Sequence, residues 1–380
     1  YDIASCLVGS EMCIRDRFTM KRTSAAAATI IAGSLILTGC SNADNNEKSK
    51  SESTREMEEA SGELRGEGAS SQDNAVQNIF GPAFSETGAT LAYTASGSGD
   101  GQKKFIAGQV DFAGSDSALK DDQIADAKKR CKGNDAWHLP MVIGPVAIAY
   151  HLEGVDTLNL STKTIAKIFK GEIKKWDDEA IKAENEGVEL PSDPIQVVYR
   201  SDESGTSDNF QKFLSASSGE WDSEGKQFPT KVGTGAPKSK GVADQVAQTN
   251  GAITYVEAGY AEENDKIGVA NVDFGAGPVE LNKENVNKAL SEAKFKGEGN
   301  DLVVDSKALY SMKNEGEYPL VLTTYEIVCS AGYDENTAKL VKNFMYTILD
   351  NQNDDLADQG YIPLDGEFKS KLEKAVEALK

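Results

Sequence analysis

Residues 199–210 read "YRSDESGTSDNF" and place one arginine, acids, hydroxyls and a glycine between the apolar run "PIQVV" and a helix-like run. Such a loop could activate a serine nucleophile, hold an anion, or cap a helix. The first demands a base within hydrogen-bond reach of the serine. The second demands backbone N–H groups and hydroxyls at a helix start. The third demands only Ser204 before the first helical turn.

The chain has two histidines, His138 and His151, both flanking an apolar run, where they read as ordinary strand-end residues. "DESGT" also lacks the glycine two residues before Ser204 that a nucleophile elbow requires. "GSGDG" (Gly97 to Gly101) has Asp116 at a suitable distance for a dinucleotide loop, but Gln102 breaks the GxGxxG spacing. No GxxxxGK[ST] occurs, and no cluster of His or Cys suggests a metal site or other cofactor. Anion binding fits better: two Ser/Gly/Thr loops, around Ser98 and around Ser204 to Thr206, each lie between a strand-like and a helix-like segment. Capping alone would use the same residue types.

The elements that must position these loops alternate. "ATLAYTAS" reads as a strand, "GQKKFIAGQ" as a helix and "VDFAGS" as a strand, which is βαβ character. "LPMVIGPVAIAYHL" (Leu139 to Leu152) fits two strands or one bent one, because Gly144 and Pro145 interrupt it. Ser161 caps a helix ending at Gly171. "PIQVVYR" is a strand feeding the loop, "TSDNFQKFL" a helix, "GVADQVAQTN" a helix and "AITYVE" a strand. "YPLVLTTYEIVCS" (Tyr318 to Ser330) is a second long strand region, with helical patterns from Glu335 to Leu349 and from Glu367 to Lys380. Two strand crossings, near 140–152 and 318–330, divide the chain as a middle lobe inserted into a discontinuous first lobe would, with a ligand between them.

Composition bounds the rest. The 380 residues are 39% apolar and 27% charged, as expected of an ordinary folded body. Met20, Lys21 and Arg22, the apolar stretch Ala25 to Leu37, and Leu37-Thr38-Gly39-Cys40 read as a signal peptide over 20–39. The last four residues resemble the lipobox of bacterial lipoproteins, in which the cysteine carries the lipid; this marks Cys40 as the lipidation site. Residues 1–19 are read as a non-native extension, and 40–62, rich in Ser, Asn, Glu and Lys, as a flexible tether. Residues 1–39 carry one net positive charge, so removing them takes the net charge from −21 to −22. Such a surface argues against nucleic acid as a partner. Cys131 and Cys329 are an even pair in an oxidising compartment, and the sequence leaves open whether they form a disulfide.

"SGSGDG", "VDFAGSD", "GEIKKWDDEAI", "VVYRSDESGTS" and "GAITYVE", in this order and at these separations, resemble the PstS family, the phosphate-binding proteins of ABC-type phosphate uptake systems. The resemblance spans roughly Gly66 to the C-terminus. It implies an α/β, two-lobed periplasmic-binding-protein-like fold of type II, with lobes joined by a two-strand hinge: 63–145 and 319–380 in lobe 1, and 146–318 in lobe 2. It implies a phosphate site in which Arg200 pairs with the anion, Asp202 orients Arg200, and Ser204, Gly205 and Thr206 donate hydroxyl or amide hydrogens. Ser98 would donate its hydroxyl and amide, and Asp116 would accept the proton that phosphate still carries. Ser70 and Ser71 match positions where the family usually has Thr followed by an aromatic residue, so the hydroxyl and amides survive while the aromatic is lost.

The expectation is therefore a monomeric, lipid-anchored extracytoplasmic receptor that performs no covalent chemistry and delivers phosphate to a membrane permease. The alternatives are a receptor for another tetrahedral oxyanion such as sulfate, a secreted phosphatase using Ser204 or Ser98, and a surface protein that keeps the fold but transports nothing. Asp116 would discriminate: hydrogen phosphate can donate to a carboxylate, whereas fully ionised sulfate would set negative oxygens against it.

Overall fold

A computed structural model describes residues 57–229 and 232–380, so Cys40 and the leader lie outside the described residues. The order of elements begins with β1 (Gly62–Gly68), β2 (Ala89–Thr94), β3 (Phe112–Ser115) and the long β4 (Ala136–His151). There follow β5 (Asn159–Ser161), β6 (Gln196–Arg200), β7 (Thr234–Ala236) and β8 (Ala252–Glu257). The last are β9 (Gly268–Val269), β10 (Asn271–Asp273), β11 (Pro278–Val279) and β12 (Val321–Cys329).

The main sheet runs β2-β1-β3-β12-β4-β8-β6-β7, with β9 also on β4, while β5, β10 and β11 form a small separate sheet. β4 is the element that makes this one curled sheet with two halves. From Ala136 to Pro145 it pairs antiparallel with β12, and from Val146 to His151 it pairs antiparallel with β8. Pro145 has no N–H to give to a ladder, and it sits where β4 leaves one partner for the other. The run that the sequence allowed as two strands or one bent strand is thus one strand that changes neighbours. Every residue of β12 is buried, and β4 is buried from His138 onward. Strands covered on both faces read as continuous apolar runs, which is why these two stood out in the sequence.

Helices follow the parallel strands as the pattern predicts. Ser161 Oγ accepts from Thr164 N at the start of the Thr162–Lys170 helix, and Gly171 ends it in the left-handed region. The Gly205–Ser218 helix is anchored by Phe210, whose ring stacks on Tyr255 of β8 at 4.3 Å between centroids. β1 was not read as a strand in the sequence: in "GELRGEG" Leu64 is its one large apolar side chain. Ahead of it, within the stretch read as tether, the N–H of Glu58 donates to Asn343 and its carbonyl accepts from Asn343, so this end is tied to the Glu335–Asp350 helix.

Cys131 and Cys329 are joined in a disulfide, with Cα atoms 5.4 Å apart, linking the end of the Asp121–Arg130 helix to the end of β12. Arg130 covers this region, its guanidinium 4.7 Å from the Phe105 ring centroid and 4.9 Å from that of Tyr333. The bridge closes a separation of 198 residues, so its loss releases considerable freedom in the unfolded chain. Cys131→Ala with Cys329→Ala is expected to lower unfolding free energy by about 2–5 kcal/mol in urea titration. Reductant should then have no further effect on the double variant.

Candidate functional site

β6 delivers Arg200 to the floor of the site, and the chain then turns into the Gly205–Ser218 helix with Ser204 as N-cap. Ser204 Oγ accepts from Ser207 N at 3.1 Å. That bond leaves the Ser204 hydroxyl proton available, so capping and donation to a ligand are compatible. Gly205 and Thr206, in the first turn, have N–H groups with no acceptor inside the helix. A second helix, Ser98–Ile106, starts against the first: a β-carbon on Gly205 would overlap Ser98 Oγ and stand 2.6 Å from the Asp116 side chain. Only a glycine permits this approach. Two positive helix ends therefore meet at one buried carboxylate.

That carboxylate, Asp116, follows β3 and is 3% exposed. Its Oδ1 accepts from Ser71 Oγ at 2.5 Å and from Thr324 Oγ1 at 2.8 Å, and its Oδ2 accepts from Ser98 Oγ at 3.2 Å. Burial, and then the negative charge of Glu257, push its pKa up to about 6, against the hydroxyls of Ser71 and Thr324 and the charge of Arg200. Folded Asp116 therefore holds its proton more tightly than the unfolded chain does, and its contribution to stability is lost as pH rises from the ordinary carboxylate range through about 6. Behind it, Glu326 of β12 is fully buried, and burial pushes it up to about 8, with the charge of Asp116 acting in the same direction.

Arg200 is equally buried and is held in a fork by Asp202: Nε donates to Oδ1 at 2.8 Å and Nη2 to Oδ2 at 2.5 Å. Burial works against the charge of Asp202, but Arg200 and the N–H of Lys238 outweigh it and hold Asp202 below the usual carboxylate range. Lys238 adopts a φ of 63°, costly for a residue with a side chain. The remaining guanidinium nitrogen, Nη1, donates to Ser239 Oγ at 3.1 Å and Thr206 Oγ1 at 3.3 Å.

Ser70, Ser71, Ser98, Asp116, Arg200, Asp202, Ser204, Gly205 and Thr206 thus lie in one connected cluster. Ser70 joins it through Ser239, whose hydroxyl is 3.1 Å from its own. Two tyrosines fasten this turn: Tyr260 Oη donates to Ser70 O at 2.8 Å and Tyr361 Oη to Ser71 O at 2.7 Å. Thr206 spends its single hydroxyl proton on Glu257 Oε1 at 2.6 Å, so toward a ligand it offers its amide and not its hydroxyl. The two histidines are engaged elsewhere. His138 Nε2 accepts from Leu119 N and its Nδ1 is 2.7 Å from Asp301, and His151 Nδ1 lies 3.2 Å from Val246 O.

Sequence reading missed Ser239, Thr324 and Glu257. Ser239 begins the Lys238–Ala247 helix, the same hydroxyl-at-a-helix-start signal as Ser98. Thr324 and Glu257 are buried polar residues inside or at the end of largely apolar strands, which is itself a signal that a buried partner is required. Thr324→Val removes one donor from Asp116 and should move its pKa above about 6. ¹³C NMR titration of the aspartate carboxyls checks this; an unmoved Asp116 resonance would contradict the assigned bond.

Residues 53–352 match the family model described as a PBP superfamily domain. The chain is 42% identical over 368 residues to the phosphate-binding protein PstS 3 of Mycobacterium leprae, covering 93% of this chain and 98% of the relative. It is 30% identical over 292 residues to the phosphate-binding protein PstS of Haemophilus influenzae, covering 76% and 84%. Among solved structures, a high-affinity periplasmic phosphate-binding protein bound with phosphate aligns with a TM-score of 0.68 at 23% identity, over 82% of this chain and 93% of the other. A phosphate ABC transporter substrate-binding protein from Clostridium perfringens aligns at 0.57 and 18% identity, over 80% and 100%. These structures share its fold.

Proposed function

The chain belongs to the PstS family of phosphate-binding proteins within the PBP superfamily, and from that premise we propose that it binds inorganic phosphate outside the cytoplasm and delivers it to an ABC-type phosphate permease. The observation that carries this reading is the pairing of one buried cation with one buried anion at the meeting of two helix starts: Arg200 and Asp116. Arg200 and the first-turn amides supply attraction, each charge-assisted hydrogen bond contributing roughly 1.5–3 kcal/mol. Asp116 supplies selection. A proton-bearing phosphate donates to it, whereas sulfate brings two negative oxygens into contact where little solvent screens them.

Closure over the ligand follows from the same parts. Gly99 N donates to Glu203 O at 3.0 Å, Lys103 pairs with Glu203 at 2.7 Å, and Ser117 Oγ donates to Asp208 at 2.6 Å. These contacts join the segments around Ser98 and Asp116 to the loop around Ser204. An anion that touches both sides favours the closed state, which a permease could read. The reading extends to attachment through a lipid on Cys40, a monomeric receptor, and binding without turnover. Among the described residues no helix is long and apolar enough to cross a membrane.

Calorimetric titration at pH 8 should show phosphate preferred over sulfate by about 10⁴; equal or stronger sulfate binding would overturn the proposal. Asp116→Asn should reduce that preference by at least about tenfold. In the wild type, sulfate binding should strengthen as pH falls through about 6, because a protonated Asp116 donates to sulfate where the ionised form repels it.

A further inference from the structure

Glu326 lies within β12, fully buried, and neither of its carboxyl oxygens has a hydrogen-bond partner. β3 faces it with Gly114 and β4 faces it with Leu139. Directly opposed residues of an antiparallel pair send their side chains to one face. On that face the place of a Gly114 side chain is already taken, because a β-carbon there would stand 2.4 Å from both Gln72 Nε2 and Tyr93 Oη. Glu326 therefore projects toward the Gln72 amide and the Tyr93 phenol. Gln72 Nε2 donates to Tyr93 Oη at 3.1 Å, and Tyr93 Oη donates to Ala69 O at 2.8 Å, directly before the Ser70–Ser71 turn. Gln72 Oε1, like the Glu326 carboxyl, is buried without a partner.

Three acceptor oxygens thus share this region with no hydrogen bond to any of them. An ionised carboxylate there has neither hydration nor an opposite charge to replace it. The groups around Glu326 offer no relief: Asp116, beyond β3, is negative, and Leu139 on β4 is apolar. Tyr93 on β2 is held far above the ordinary phenol range by burial and then by Glu326, and its proton is given to Ala69 O. The Gln72 amide favours the ionised form, but its NH2 is engaged with Tyr93. No cation is among these groups. The other carboxylates of the site do have donors: Asp202 has the Arg200 fork and the Lys238 N–H, Asp116 has three hydroxyls, and Glu257 has one. Glu326 has none, and a proton on it removes the buried charge and provides the donor that this region lacks.

Building on the phosphate reading, we infer that Glu326 is a positioning residue of the anion site that must be neutral for tight binding: phosphate is held by the form whose Glu326 carboxyl carries a proton, and affinity falls when that proton leaves. Glu326 acts through Asp116 and the Ser70–Ser71 turn without touching the ligand. Its proton stays on the carboxyl and is not passed to the anion. Ionised, Glu326 sets a second negative charge behind Asp116, and the incoming dianion meets both. It also draws the Gln72 NH2 toward itself and away from Tyr93, which slackens the tie on Ala69 and so the turn that carries Ser71 to Asp116. By linkage, a bound dianion tightens the hold of Glu326 on its proton.

Burial pushes Glu326 up to about 8, with Asp116 acting in the same direction, so the effect appears above that pH. Calorimetric titration of the full chain with inorganic phosphate at pH 8 and pH 9 reads it, since phosphate itself stays dibasic over this range. Wild-type affinity should fall about threefold to fivefold between the two. Glu326→Gln, neutral at every pH and still a donor, should bind at pH 8 and change by less than about 1.5-fold. An equal decline in both proteins, or no decline in the wild type, overturns this inference and leaves the phosphate reading standing. The wild type alone gives a second test if the variant does not fold. The ¹³C carboxyl resonance of Glu326 should titrate near pH 8 without ligand and about one unit or more higher with phosphate bound. Titration in the ordinary glutamate range, or a midpoint that phosphate does not move, overturns the inference. No phosphate binding at either pH would overturn the phosphate reading, and this inference with it.

Discussion

Two opposite charges, Asp116 and Arg200, are withdrawn from water in one small volume, and both must be satisfied there. An ionised group moved out of water carries a penalty of several kcal/mol unless hydrogen bonds and an opposite charge replace its hydration. The surrounding parts answer to that constraint. Asp202 grips the guanidinium on two nitrogens, three hydroxyls hold the Asp116 carboxylate, and two helix starts bring N–H groups to the space beside them. Because the donors are local dipoles and a single arginine, a chain of net charge −21 can still present an attractive site to an anion. Screening at about 8 Å in physiological salt separates the distant acidic surface from the groups in contact.

The long strand β4 makes that arrangement possible. It pairs with β12 in one half of the molecule and with β8 in the other, so that Thr324 and Asp116 come from one side and Arg200, Thr206 and Glu257 from the other. Gly205 has room for no side chain against Ser98 and Asp116, which lets the two helix starts approach each other closely. On the proposed reading, selectivity comes from what is left unpaired. A ligand without a proton meets Asp116 as a second anion, and a ligand with one completes the network.

Much of this was legible in the sequence for definite physical reasons. "PIQVVYRSDESGTSDNF" combines a β-branched strand, a capping serine and a helix with Phe210 and Phe213 on its buried side, so strand, loop and helix are each specified locally. The same holds for Ser161 and Gly171 at the two ends of their helix. β1 was not legible, because "GELRGEG" offers little alternation and its place is set by β2 and β3 on either side. Thr324, Ser239 and Glu257 were missed for another reason. Each owes its role to a partner far along the chain: Thr324 meets Asp116 across 208 residues, and Ser239 meets Ser70 across 169. Motif resemblance found the residues on the loops and passed over the strand residues that hold them. It also singled out Thr206, yet only the hydroxyl's geometry shows that its proton is committed to Glu257.

A crystal structure of the chain grown with phosphate tests the central claim most directly. The account predicts a phosphate between the starts of the Ser98–Ile106 and Gly205–Ser218 helices, with one oxygen within about 2.7 Å of an Asp116 carboxylate oxygen and another on Arg200. A phosphate bound elsewhere, or bound there with the Asp116 carboxylate turned away from it, would contradict the account.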